Sequence, residues 1–349
     1  MWQAVDEVGT SGLARERFRG ALVGLAVGDA VGTSVEFKMP GTFSPVTDMV
    51  GGGPHGLPAG AWTDDTSMAL CLAESLVERR GFDPVDQLER YARWYYEGYL
   101  SSTGEYIDIG NATRAALIRF ERTGDPYPGD ANPAAAGNGP LMKLAPVAMA
   151  YAGNSYVAAQ RAADSARTTH GAPEAVDACR YFAGLLVGAL NGVEADSLLA
   201  PGGFDPLGDV AKLHPKVATV AAGSFREAEP PWICGGGYIV ESLEAALWAL
   251  RSTDSFQDGV LAAANLGNDA DTTAAVYGQL AGAVYGIDAI PEHWRERLVM
   301  HERILAFADA LFALAVSIDI KASTRPAAPD WSSLQTTSAG RRPLRAGES

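Results

Sequence analysis

The chain has 349 residues, 47% of them hydrophobic, which is enough for one large domain or two of ordinary size. Its formal net charge of −15 argues against a nucleic-acid partner, because no excess of positive charge offsets phosphate repulsion. The acidity favours solubility, but a local metal ion could reverse the field inside one pocket, so a nucleotide-like ligand is not excluded.

Cysteine content and hydropathy bear on the compartment. Three cysteines lie far apart and form no C-x-x-C pair: Cys71, Cys179 and Cys234. Their odd number and apolar surroundings predict reduced thiols and a cytoplasmic location. Residues 1–7 have neither the basic nor the apolar region of a signal peptide. The longest apolar run, residues 304–318, contains Asp309 and is too short to span a membrane, so we expect a buried helix and no membrane partner.

The first helical segment is unusually rich in glycine. Residues 1–14 are expected to be a flexible leader, and the pattern RFRGALVGLAVGDAVG that follows has apolar and small residues at helical spacing. Four glycines recur at every fourth position and share one helix face: Gly20, Gly24, Gly28 and Gly32. Because glycine is costly inside a helix, this face is expected to pack very closely against another helix.

A long loop and a series of helices follow. Residues 37–61 are rich in Gly and Pro and predict a loop that frames a functional site. Helical patterns then occur at about 65–80, 84–97, 108–122, 140–151, 155–167, 172–191, 238–250, 255–264, 271–286 and 299–318. Strand patterns are almost absent, so the predicted fold class is all-α. Residues 321–349 predict a disordered tail, which leaves residues 15–320 as a single domain.

Two segments place more oxygen ligands at a helix start than a cap requires. Residues 267–278 (GNDADTTAAVYG) and residues 62–70 (WTDDTSMAL) each have two carboxylates beside hydroxyls, ahead of an apolar run. A helix cap needs one side-chain oxygen. If the two helix starts meet, four carboxylates share a pocket and their repulsion requires a cation. Oxygen ligands without Cys or His favour Mg²⁺ or Mn²⁺ over zinc.

These residues resemble a known family. Residues 20–37 (GALVGLAVGDAVGTSVEF), residues 62–70 and residues 267–286 (GNDADTTAAVYGQLAGAVYG) are similar to the signature blocks of the ADP-ribosylglycohydrolases. This family comprises the dinitrogenase-reductase-activating glycohydrolases and the ADP-ribosylhydrolases. The resemblance implies a compact, orthogonal multi-helix bundle with a dinuclear metal site in a central cleft.

The resemblance also implies the metal ligands and the catalytic residues. Two Mg²⁺ ions, or Mn²⁺, are expected on Thr63, Asp64, Asp65, Asp269, Asp271 and Thr272. Asp271, between two other ligands, is the favoured bridge. Glu36 matches a glutamate that points into the family's active site; without the resemblance it would be interpreted as a surface carboxylate.

The segment YIDIGNATR opens another predicted helix. It resembles the D-x-G-N block of bacterial arginine-directed members, in which the aspartate lies beside the scissile bond and the asparagine lies close to the ribose. These residues are Asp108 and Asn111. Considered without the family, either residue could simply cap the helix. The resemblance favours ADP-ribosyl-arginine over ADP-ribosyl-serine as substrate.

Further substrate contacts are expected from three places. A Gly-rich helix start offers backbone N–H groups to pyrophosphate oxygens, and the family block there implies binding by Asn138, Gly139 and Met142. Lys143 stands where the family has arginine; it keeps the charge but loses the bidentate geometry. His170 is expected at the pocket wall, although a lone histidine is usually structural. Tyr238 either stacks on adenine or belongs to the core.

The sequence therefore predicts a Mg²⁺-dependent ADP-ribosylhydrolase that cleaves the N-glycosidic bond between ADP-ribose and a modified arginine. Its expected partners are an ADP-ribosylated protein and the product ADP-ribose. Glu36 and Asp108 are the candidates for proton transfer, with acid and base unassigned. One alternative is the same hydrolase acting on a serine-linked adduct, a nucleic-acid end or a small-molecule conjugate. Another is a non-catalytic, crystallin-like ADP-ribose-binding relative, which the intact ligand positions disfavour.

Overall fold

The computed structural model describes residues 13–201 and 212–323, with side chains as far as residue 319. All regular secondary structure in these ranges is helical, and the β-type pairings are single backbone bridges such as Gly52 with Leu57. The all-α prediction is therefore confirmed. Nearly all of the predicted leader and tail lies outside the described residues, and the domain limits at residues 14 and 320 stay predictions.

The α-helices of the described ranges are α1 Arg15–Gly32, α2 Asp64–Arg79, α3 Pro84–Glu97, α4 Asn111–Thr123, α5 Gly139–Met142, α6 Ala145–Ala150, α7 Ser155–Arg167, α8 Pro173–Leu190, α9 Ala195–Leu198, α10 Pro215–Ala221, α11 Ile239–Ser252, α12 Phe256–Ala264, α13 Ala270–Tyr285, α14 Glu292–Arg297 and α15 His301–Ser323. Single turns of 3₁₀-helix occur at Thr33–Val35, Pro133–Ala135, Ser224–Arg226 and Ile287–Ala289. No described helix has both the length and the apolar character that a membrane crossing requires.

Three differences from the predicted helices have local causes. The helix predicted at 140–151 was wrong: α5 ends before Lys143, whose backbone leaves the helical region, and α6 begins with Pro146 in its first turn. α4 begins at Asn111 rather than at residue 108, because Asp108 has a φ of 55° and cannot be helical. The short helices α9, α10 and α14 were not predicted, since four to seven residues carry little periodicity.

The glycine face of α1 packs against α13, and the two helices run antiparallel. A Cβ atom on Gly20 would lie 2.1 Å from the Gly282 carbonyl oxygen, and one on Gly32 would lie 2.4 Å from that of Ala270. Side chains larger than hydrogen therefore cannot occupy this face. The close helix–helix contact predicted from the glycine spacing is confirmed. Since the pairing is antiparallel, the end of α1 lies beside the start of α13.

The helix pair α1–α13 forms the centre of the hydrophobic core. α12 contacts both members, while α2 and α15 pack on α1, and α8 and α11 pack on α13. Every residue of α13 from Ala270 to Ala283 is buried. Cys71 and Cys179 are buried free thiols, and Cys234 is half-buried and also free.

The loop between Glu36 and Thr63 is attached to the C-terminal part of the chain. The indole Nε1 of Trp294 donates to Asp48 Oδ1 at 2.6 Å, and Arg297 donates to Asp48 Oδ2 at 3.1 Å. Partial burial opposes the ionisation of Asp48, but these donors and the Met49 N–H outweigh it and lower its pKa to about 2. The long Gly/Pro-rich loop is thus fixed in place without forming a helix.

Candidate active site

The first turn of α2 is capped by a side chain from α1. Asp29 accepts hydrogen bonds from the backbone N–H of Thr63 at 2.9 Å and of Thr66 at 3.0 Å, and from both threonine hydroxyls. Thr63 occupies the cap position but makes no capping bond of its own within the described chain. Because Asp29 satisfies the helix start, the oxygens of Thr63, Asp64 and Asp65 are not needed as caps.

The starts of α2 and α13 meet, which is the condition on which the sequence argument for a bound cation depends. Thr63 Oγ1 lies 3.0 Å from Asp65 Oδ2 and 3.3 Å from Asp271 Oδ2. The Oδ1 atoms of Asp65 and Asp271 are buried and find no hydrogen-bond donor among the described residues. Burial, together with the charges of neighbouring carboxylates, raises the pKa of both groups well above the usual range. A positively charged partner bound between these oxygens would relieve their repulsion and favour the ionised form.

Asp269 stands at the cap position of α13, where its side chain makes no capping bond inside the described ranges. Its Oδ2 instead accepts a hydrogen bond of 2.7 Å from the side-chain amide of Asn138, which also donates to Ser242 Oγ. Burial raises the pKa of Asp269, and the Asn138 hydrogen bond opposes that rise. Asn138 therefore orients one carboxylate of the acidic cluster, which comprises the neighbouring side chains of Asp29, Asp64, Asp65, Asp269 and Asp271.

The donor set fits hard divalent cations. Single carboxylate oxygens of Asp29, Asp65 and Asp271 lie within 4.8 Å of one another, and all three residues are buried. The donors at the two helix starts are carboxylate and hydroxyl oxygens, which Mg²⁺ and Mn²⁺ prefer. The unpartnered Oδ1 atoms and the absence of self-capping in the described helices supply the free lone pairs that ligation needs.

Glu36 ends the glycine-rich N-terminal block beside this cluster. Its carboxylate is buried, and its Oε2 lies 3.3 Å from His55 Nε2, a residue from the Gly/Pro-rich loop. Burial, followed by the nearby charge of Asp108, raises the pKa of Glu36 to about 9. One ligand atom each from Glu36, His55 and Asp108 lies within 4.8 Å of the others. The interpretation of Glu36 as a surface carboxylate is thus wrong.

A cavity of about 830 Å³ opens onto the acidic cluster. Its lining includes ten of the predicted functional residues: Asp64, Asp108, Asn111, Asn138, Gly139, Met142, His170, Asp269, Asp271 and Thr272. Neither Asp108 nor Asn111 caps α4, since Gly110 takes the cap position without a side-chain bond in the described structure. The capping interpretation of these two residues is therefore wrong, and both face a space large enough for a nucleotide-sized ligand.

The other four predicted residues do not line the cavity. Thr63, Asp65 and Glu36 are buried. Tyr238 is half-buried; its hydroxyl accepts a hydrogen bond of 3.0 Å from Lys216, whose ammonium lies 4.9 Å from the ring centroid. Adenine stacking on Tyr238 stays a prediction. In the part of the chain that the structure describes, the cavity lining does not include these four side chains.

Lys143 and His170 are buried ionisable groups near the cavity. The Lys143 ammonium lies 3.6 Å from Met68 Sδ and 5.2 Å from the Tyr91 ring centroid. Burial lowers its pKa to about 8, although the charges of nearby carboxylates oppose the shift. Burial also lowers the pKa of His170 to about 3, so this imidazole is neutral at physiological pH. Lys143 is therefore a buried amine on which the charges of Asp64 and Asp65 act.

Three residues of this region were missed by sequence reasoning. Asp29 could have been noticed as a lone carboxylate inside an apolar helix, where burial without a partner is costly. His55, which contacts Glu36, and Phe37, which lines the cavity, lie in loop segments, where spacing does not indicate which side chains meet.

The comparison with protein families decides the identity of the fold. The sequence model of the protein family described as ADP-ribosylglycohydrolase matches residues 10–319 of this chain. The chain belongs to the ADP-ribosylglycohydrolase family. The resemblance drawn from the three sequence blocks is confirmed, and so is the prediction of an enzyme of this family, a hydrolase acting on glycosyl bonds.

Relatives of this ADP-ribosylglycohydrolase cover most of its length. A protein of Pseudomonas putida named ADP-ribosylarginine hydrolase Tri1 is 43% identical over 306 residues, which are 88% of this chain and 80% of that protein. An ADP-ribosyl-[dinitrogen reductase] glycohydrolase of Rhodospirillum rubrum is 34% identical, covering 86% and 97% of the two chains. A solved structure of an ADP-ribosylglycohydrolase-related protein complex has a TM-score of 0.77 and 50% identity, covering 86% of this chain and 98% of that one.

Proposed function

We propose that the protein is a divalent-metal-dependent ADP-ribosylhydrolase that releases ADP-ribose from modified arginine side chains. The observation that carries the proposal is the meeting of two helix starts whose buried carboxylate oxygens lack donors among the described residues. The cavity beside them, about 830 Å³, has room for an ADP-ribosyl group.

Six residues are proposed to hold two Mg²⁺ or Mn²⁺ ions: Thr63, Asp64, Asp65, Asp269, Asp271 and Thr272. Such ions, when bound, would orient the ribose through its hydroxyls and would lower the pKa of a water molecule. The chain's own contribution is to fix the ligands. Asp29 caps α2 so that the threonine and aspartate oxygens stay free, and Asn138 orients Asp269 through its 2.7 Å hydrogen bond.

Proton transfer is proposed for Glu36 and Asp108. Glu36 follows the 3₁₀ turn after α1, and Asp108 precedes α4. Cleavage of a glycosidic bond requires a group that activates water and a group that protonates the leaving nitrogen. Asp108 lines the cavity, and the buried carboxylate of Glu36 lies within 4.8 Å of that of Asp108, with His55 Nε2 at 3.3 Å. Asn111, Asn138, Gly139, Met142 and His170 line the same cavity and are proposed to contact the ADP-ribosyl group.

Arginine is the favoured attachment residue for two reasons. The Pseudomonas putida and Serratia proteamaculans relatives, 43% and 42% identical, are both named ADP-ribosylarginine hydrolases. In addition, the D-x-G-N block of arginine-directed members is present, and its Asp108 and Asn111 line the cavity.

The test is release of ADP-ribose from matched peptides that carry ADP-ribosyl-arginine or ADP-ribosyl-serine. Wild-type protein with Mg²⁺ should cleave the arginine adduct. Asp271→Ala should abolish cleavage while the far-UV circular dichroism stays helical. Asp288→Ala, which removes an exposed carboxylate after α13, is the matched control and should cleave like wild type. Undiminished turnover by Asp271→Ala would contradict the metal assignment. Cleavage of the serine adduct alone would contradict the arginine assignment.

A further inference from the structure

Phe37 is an apolar side chain in an unusual position. It directly follows Glu36, it is 64% exposed, and it lines the same cavity as Asp108 and Asp269. Large aromatic side chains are normally buried, because exposure of their surface to water is unfavourable. Phe37 differs from the other exposed hydrophobic side chains in its position at a cavity wall, where an entering ligand can cover it.

The backbone at Phe37 is strained. Its φ is 59°, a left-handed conformation that is a genuine outlier for a bulky residue. The strain is maintained by hydrogen bonds to a second left-handed residue, Asn268, whose φ is 54°. Phe37 N–H donates to Asn268 O at 2.6 Å, and Asn268 N–H donates to Lys38 O at 2.8 Å. Strain that neighbouring segments maintain in this way is characteristic of functional positions.

The surroundings of the ring define what it can bind. Phe37 meets His55 edge-on, with ring centroids 6.4 Å apart and planes at 70°. This contact orients the ring and leaves most of it free, as its exposure shows. Asp108 contributes a carboxylate to the same cavity. An aromatic face and a carboxylate together suit a planar cation.

We propose that Phe37 is a specificity-determining residue whose ring stacks on the guanidinium of the modified arginine, while Asp108 attracts its charge. The inference rests on the proposed function and adds the residue that recognises the leaving side chain. A guanidinium is flat, cationic and weakly hydrated, so it gains from an aromatic face. A serine side chain has no charge or plane to offer. Arginine preference would then be encoded beside the scissile bond.

The test compares Phe37→Leu with Phe37→Tyr. Leucine keeps apolar bulk and the same backbone demand but lacks the aromatic face, whereas tyrosine keeps the face. Phe37→Leu should lower kcat/KM on an ADP-ribosyl-arginine peptide by about 5- to 30-fold, the range for loss of one cation–π contact. Phe37→Tyr should keep the wild-type kcat/KM on the same peptide. The Kd for free ADP-ribose, which contains no guanidinium, should be unchanged in both variants.

Met39→Ala is the matched control, because Met39 is 68% exposed two residues further along the same loop and is not among the described residues that line the cavity. It should behave as wild type. If wild type cleaves the arginine adduct and Phe37→Leu has an unchanged kcat/KM, the role of Phe37 is overturned and the proposed function is not. An equal loss of ADP-ribose affinity also overturns it, since the ring would then contact the nucleotide. Failure of wild type to cleave the arginine adduct removes the proposed function itself.

Discussion

Replacing Gly28 with alanine tests how the α1–α13 contact builds the site. The new Cβ would lie 2.1 Å from the Ala274 carbonyl oxygen and 2.8 Å from the Ala275 nitrogen. An ordinary contact to that oxygen begins near 3.4 Å, so the helices would have to separate by about 1.3 Å. The atoms that must move belong to the backbone, and no side-chain rotation can relieve the clash.

The expected change in the free energy of unfolding of Gly28→Ala is the difference between two opposing effects. Overpacking of a core contact costs about 1–3 kcal/mol, and a rigid backbone contact belongs at the upper end of that range. Alanine regains about 1 kcal/mol of helix propensity relative to glycine. We expect a net loss of about 2 kcal/mol in the free energy of unfolding, which lowers the melting temperature by roughly 3 °C in a chain of this size.

Gly20→Ala supplies the comparison, because its Cβ would also meet a carbonyl oxygen at 2.1 Å, that of Gly282. Gly20 is eight residues further from the site, about 12 Å along the helix axis. Both variants should lose similar stability in thermal unfolding. In calorimetric titration with Mn²⁺, only Gly28→Ala should lose affinity, by about tenfold or more. Equal Mn²⁺ affinity in the two variants, or wild-type stability in Gly28→Ala, would refute this reasoning.

Three further predictions concern stability. Asp29→Asn places an amide against the N–H donors of α2. It should lower the free energy of chemical unfolding by about 1–3 kcal/mol and weaken Mn²⁺ binding. An unchanged free energy of unfolding would contradict the capping role. Arg90→Met removes the cation that Glu74 and Asp86 share, while Asp86 keeps Arg79 at 2.8 Å, and should cost about 1–3 kcal/mol; Arg93→Met serves as the exposed control. For Asp48, the folded-state pKa of about 2 is below the unfolded value, so its contribution is present at neutral pH and is lost as the pH falls from about 4 towards 2. The melting-temperature difference between wild type and Asp48→Asn should shrink over that interval, and a constant difference would contradict it.

Much of the fold was readable because its signals are local and repetitive. Four glycines at every fourth position specify a helix face without side chains, and backbone contact along α13 is the direct consequence. The excess of carboxylates at two helix starts likewise marked both ends as candidate ligand sites. Thr63 and Asp271, 208 residues apart in sequence, are within hydrogen-bond distance in the structure.

The parts that were not predicted depend on contacts between distant segments. Capping of α2 by Asp29 is invisible in sequence, because a cap is normally sought next to the helix that it serves. His55 reaches Glu36 only through the conformation of a Gly-rich loop, whose course no periodicity specifies. The break at Lys143 has a similar origin, since the backbone there leaves the helix just ahead of Pro146.

The most direct test of the central claim is metal reconstitution. Wild-type protein would be stripped with a chelator, and release of ADP-ribose from an ADP-ribosyl-arginine peptide would be followed during titration with Mg²⁺ or Mn²⁺. The two-ion site predicts no release by the stripped protein and recovery that is complete when two equivalents are bound. Full release in the presence of the chelator would contradict it.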